Sequence, residues 1–106
     1  MYSKNSNILG QIQNSHSELV DLLNATAPLV ENASARGIID DEFVNDFNET
    51  VGAINEIGGS INDLLALTPD ELAAADSSDL NDILRTVVDL RPSIVEMKRA
   101  IEEGLS

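Results

Sequence analysis

His16 is the only histidine in the chain, and it stands between Ser15 and Ser17 with the carboxylate of Glu18 two residues on. Imidazole changes charge near neutral pH, so this is the one obvious candidate for a general base. Its position argues for a structural use instead. It occupies a place on an apolar stripe between Ile12 and Leu19, where a buried histidine, or one at the rim of an interface, is expected far more often than a catalytic one. The rest of the inventory is thin: one Tyr, no Cys and no Trp. A helical zinc or di-iron site would use Glu-x-x-His or His-x-x-x-His on facing helices, and neither spacing occurs. Gly58-Gly59 follows no strand, so it is not a phosphate loop. The expectation is no catalytic set, no metal and no cofactor, and hence a protein that is not an enzyme.

The elements that position these residues read as helices. With 3% aromatic residues in 106, the core must be built from Leu, Ile, Val and Ala, which suits helix-on-helix packing and one domain over residues 1–106. Leu9, Ile12, Leu19, Leu23, Val30 and Ala33 recur at steps of three and four, with His16 and Thr26 as polar members of the same stripe. Pro28 interrupts the run without shifting its phase, which predicts a kink and not a break. Arg36-Gly37 is a C-terminal signal.

Asp40 is placed to cap a second helix, with acids after it to favour the dipole and Ile39 set to staple onto Val44. Val44, Phe47, Val51, Ile54, Ile61 and Leu65 form its stripe. The register from Ile54 to Ile61 is one heptad, so the helix is expected to pass through Gly58-Gly59 at about 1 kcal/mol per glycine. Gly58 falls on the stripe, where a neighbouring helix could come close. Thr68-Pro69-Asp70-Glu71 is a capping box with Pro at the first helical position, predicting a short helix to Ala75 and then a turn and second N-cap at Asp76-Ser77-Ser78. Leu80, Ile83, Val87, Leu90, Ile94, Met97 and Ile101 make the cleanest heptad, with Pro92 inside it as another expected kink. The fold class is therefore all-α: an elongated three-helix bundle, up-down-up, with coiled-coil-like heptad stripes and a short extra helix between helices 2 and 3.

Charge is distributed unevenly. Residues 1–39 hold two bases and three acids, residues 85–106 hold four of each, and residues 40–84 hold twelve acids without a base. The net charge of −13 belongs almost wholly to that middle segment and disfavours direct nucleic-acid binding. A solvated face that keeps the protein soluble is the leading explanation; a surface that steers a basic partner is the alternative. Asp70, Glu71, Asp76, Asp79 and Asp82 are the candidate partner-binding acids, with Gly58 as a candidate close contact. Between Asn5 and Ser17 the outward positions Asn7, Gln11, Gln13 and Asn14 carry no charge, which is a second candidate interface.

The start, MYSKNSN, has no apolar signal core, and no window reaches the roughly 18 apolar residues of a spanning helix, so a chain in the cytosol or a virion is expected, with no membrane partner. The function these features favour is a non-enzymatic protein-protein interaction or structural component, working with copies of itself or within a larger oligomeric or virion-like assembly. The alternative is a small acidic inhibitor or adaptor, including a nucleic-acid mimic, that binds a basic protein surface.

Overall fold

A computed structural model describes residues 4–105; Tyr2, the single tyrosine, lies outside the described residues. Four helices follow one another: α1 Lys4–Ala35, α2 Asp41–Leu65, α3 Pro69–Ala74 and α4 Ser77–Leu105. Together they make an elongated all-α bundle, 53 × 19 × 18 Å, without a strand among the described residues. α1 and α4 run parallel, since Asn5 meets Ser77 near one end and Glu18 meets Arg91 further along. α2 runs against both. It returns the chain along the bundle, and α3 turns it back into α4.

The boundaries are local chemistry. α1 ends where Gly37 adopts φ +72°, a left-handed conformation that L side chains resist. There the Ile38 N–H donates to Ala33 O (2.9 Å) and the Gly37 N–H to Ser34 O (3.1 Å), the paired bonds of a Schellman cap. Asp40 caps α2 by accepting from the Phe43 N–H at 2.9 Å. Thr68 and Glu71 close the reciprocal capping box of α3. Both interior prolines, Pro28 and Pro92, sit within continuous helices. Each removes one N–H from the ladder, freeing the carbonyl four residues earlier, at Asn24 and Val88, and both of those residues are exposed to water.

Core positions follow the heptads. On α4 the buried residues are Leu80, Val87, Ile94 and Ile101, seven apart, with Ile83, Leu90 and Met97 half-buried beside them. One apolar cluster joins Ile8, Leu9, Ile12 and Leu19 of α1 to Ile54, Ile57 and Ile61 of α2 and Leu80, Val87 and Ile94 of α4, with Leu72 of α3 closing its end. A second gathers Val30, Ala33, Phe47 and Ile101 at the opposite end, with Ile39 and Val44 beside them. Thr26 is fully buried, and its hydroxyl donates to Leu22 O at 2.7 Å. That bond within its own helix is what lets a polar residue occupy the stripe.

Candidate functional site

The one histidine is used between helices. Half-buried on α1, His16 places Nε2 3.2 Å from the carbonyl oxygen of Ile54 on α2. A carbonyl only accepts, so Nε2 carries the proton and the ring donates. The residue one turn beyond that carbonyl is Gly58, and a Cβ there would lie 3.6 Å from both Cε1 and Nε2 of the ring. The close approach at Gly58 is thus made by the imidazole of α1. A shallow groove of about 330 Å³ lies beside it, lined by Gln13, His16, Ser17, Val20, Asp21 and Ile61. The hydrogen-bond partner of the ring is a backbone carbonyl and not a serine hydroxyl, so the arrangement clamps two helices.

A second polar group, Asn5, is buried at the other side of the same core. Its Nδ2 donates to Leu72 O and to Ala75 O, both at 2.8 Å, while Oδ1 accepts from the Ser77 hydroxyl at 2.6 Å. One amide therefore satisfies two carbonyls at the end of α3 and a hydroxyl at the start of α4. Among the described residues no buried side-chain N or O atom is left without a partner. Nothing in the sequence around Asn5 marks it as a buried residue, because its partners lie 67 to 72 positions away.

The acidic candidates fall on α3 and the first turns of α4. Two of the five have local work. The Glu71 carboxylate accepts from the Thr68 N–H at 2.9 Å, and that backbone bond, with the Thr68 hydroxyl behind it, holds its pKa below the ordinary glutamate value. Asp76 accepts from the Ser78 N–H at 2.9 Å and so caps α4. Asp70, Asp79 and Asp82 are exposed, and their carboxylates make no bond among the described residues. Gly58 does not belong to this group: it faces α1 in the middle of α2. Each of the twelve acids in residues 40–84 is exposed. Among the described residues no group of three or more His, Asp or Glu side chains is arranged to hold a metal ion. No helix among them is long and apolar enough to cross a membrane.

The outer faces carry further features. Val88 and Val95 of α4 are 53% and 44% exposed; Leu65, expected on the apolar stripe of α2, is instead 51% exposed, because at the end of the helix it is Leu64 that packs on the core. Gly52 and Gly59 of α2 face open space. An apolar groove of about 440 Å³ opens between α1 and α2, lined mainly by Ala27, Val30, Val44 and Phe47. The amide-rich residues Asn7, Gln11, Gln13 and Asn14 are exposed on α1. Compared with known proteins, the chain has no significant match to a family model, a curated protein or a solved structure.

Proposed function

We propose that this chain is a non-enzymatic interaction component, a rigid helical rod that docks onto other protein surfaces within a larger assembly. The observation that carries this reading is the contrast between inside and outside. His16, Asn5 and Thr26, the polar side chains with chemical potential inside the bundle, are committed to bonds that hold helices together. The outer surface is differentiated: α2 and α3 present acids, while α4 presents exposed Val88 and Val95 beside four of the six bases of the chain. Exposed apolar side chains set among charges are the composition of a docking face. Oligomeric and virion-like particles are the class of assembly such a rod would serve.

Chemical cross-linking in extract of the native source, followed by mass spectrometry, tests the reading. Cross-links from α2 and α4 to other polypeptides, including other copies of the chain, are the expected result. A chain that migrates as an isolated monomer in that extract, without cross-links, would overturn it.

A second reading is favoured by the exposure of all twelve acids in residues 40–84: an acidic inhibitor or adaptor for a basic protein surface. In that case association with a basic partner is steered by charge, and Asp70, Asp79 and Asp82 are the acids free to do so. Changing these three to Asn would slow association and flatten its salt dependence with helicity unchanged. An unchanged rate across a salt series would leave the charge as a solubilising feature only.

A further inference from the structure

The outer faces of α2 and α4 complement each other. On α4 the residues Arg85, Val88, Pro92, Val95 and Arg99 succeed one another at steps of three and four, and all are exposed. This is one straight stripe along the helix, apolar in the middle and basic at both ends. On α2, Glu49, Gly52, Glu56, Gly59 and Asp63 follow the same steps and are likewise all exposed. Here the stripe has a hollow at each glycine, with nothing within 4 Å of where a Cβ would stand, and a carboxylate at each end and in the middle.

The dimensions agree. Val88 and Val95 are seven residues apart, as are Gly52 and Gly59; Arg85 and Arg99 are fourteen apart, as are Glu49 and Asp63. Fourteen helical residues span about 21 Å in either stripe. Two valines laid over the two glycines would therefore bring both terminal arginines to carboxylates in one register, with Arg91 near Glu56. Arg85 and Arg99 make no ion pair among the described residues, and Arg91 has only an exposed one, 3.2 Å from Glu18.

We infer that the α4 stripe of one copy docks on the α2 stripe of a second copy of this chain. The inference rests on the proposed function and names the partner that reading left open. Like-on-like contact is less favourable: α2 against α2 would oppose carboxylates, and α4 against α4 would set arginine against arginine, with only the flanking Asp89 and Glu96 to offset them. The contact is therefore heterologous, with one donor and one acceptor face per rod. Repetition then builds an open chain or closes a ring. It also gives Gly52 and Gly59 a purpose: each weakens an exposed helix interior and touches nothing within its own bundle.

The test uses the purified full-length chain. Light scattering after size exclusion, over a concentration series, should show oligomers that grow with concentration and dissociate at least about tenfold more readily in high salt, as expected for exposed charges. Val88→Asp with Val95→Asp disables the donor face; Gly52→Leu with Gly59→Leu disables the acceptor face. Each double variant alone should be monomeric with full helicity by circular dichroism. Mixed in equal amounts, they should form a heterodimer and nothing larger, because one intact face of each remains. Should the leucine variant fold poorly, Glu49→Arg with Asp63→Arg serves as the acceptor-disabled chain; mixed with a chain carrying Arg85→Glu and Arg99→Glu it should grow past the heterodimer, because the charge-reversed faces then dock as well as the intact pair.

Wild-type chain that stays monomeric throughout, or variants that assemble like wild type, would overturn the inference. If cross-links in native extract then run to a different protein, self-docking fails while the interaction reading stands. If that extract yields no cross-links either, both fail.

Discussion

The imidazole of His16 lies directly over Gly58: a Cβ at that glycine would stand 3.6 Å from the ring. That is an ordinary contact distance, so a methyl group fits and a larger side chain does not. Gly58→Ala should hold or raise stability, by up to about 1 kcal/mol from helix propensity. Gly58→Leu should lower it by about 1–3 kcal/mol, since the imidazole must leave the Ile54 carbonyl. Denaturant titration of both variants checks this; a Leu variant more stable than wild type would show that the ring does not need the space.

Asn5 should matter more than its position near the start of the described chain suggests. Asn5→Ala removes the partner of Ala75 O and of the Ser77 hydroxyl and leaves Leu72 O with only the Ala75 N–H, and an unsatisfied buried polar group costs about 1–3 kcal/mol. Hydrogen exchange should show α3 losing protection before the long helices do. Wild-type exchange in α3 would remove Asn5 from its role.

Two other glycines should respond in opposite directions to alanine. At Gly104 a Cβ would meet Cγ2 of Ile38 at 2.6 Å, and that methyl sits on a branched carbon that cannot swing away freely. Gly104→Ala should therefore destabilise by about 1–3 kcal/mol. At Gly59 a Cβ meets nothing within 4 Å, so Gly59→Ala should stabilise the isolated chain by about 0.5–1 kcal/mol. Thermal melts at low protein concentration, where association does not contribute, decide both.

The capping box gives a pH dependence. The folded-state pKa of Glu71 is depressed by the hydrogen bond from the Thr68 backbone, so its ionised form is favoured in the folded chain. The stabilisation is complete above the ordinary glutamate value and disappears as pH falls through the lower folded value. The anchorage of α3 should weaken under acid, and Glu71→Gln should lose that pH-sensitive part at neutral pH. Carboxyl chemical shifts across the titration give the direct reading; a Glu71 midpoint at or above the ordinary value would contradict the bond.

Apolar periodicity should have consequences at single positions. Ile54 is 1% exposed, and Ile54→Asp would place an unpaired carboxylate in the larger cluster at a cost of several kcal/mol. Leu90 is half-buried, so Leu90→Asp should cost less, because its carboxylate can turn toward water. Equal losses in helicity on denaturation would show that the heptad, and not the degree of burial, sets the penalty.

The helices, their ends and their shared stripe were legible because each is decided within a turn or two of chain. A capping box is closed by residues three apart, a Schellman cap by residues five apart, and a heptad by the repeat of the helix itself. Continuity through Pro28, Gly58-Gly59 and Pro92 could be read from phase in the same way. Other matters depend on which helices meet and at what height, and no local rule contains that. The stripe marked His16 and Thr26 alike as polar intruders. Only the assembled bundle sent the first across to a carbonyl of α2 and returned the second to its own helix. Asn5 only bounded the amide-rich stretch in sequence, and its burial came from α3 closing over it. Among the acids, the capping work of Glu71 and Asp76 was local and legible, whereas the free exposure of Asp70, Asp79 and Asp82 follows from how α3 and α4 sit on the bundle. Sequence alone fixes the interactions whose partners are covalently near. Those between distant residues are decided by the register in which three rods pack, because a side chain acquires its surroundings only when that register is set.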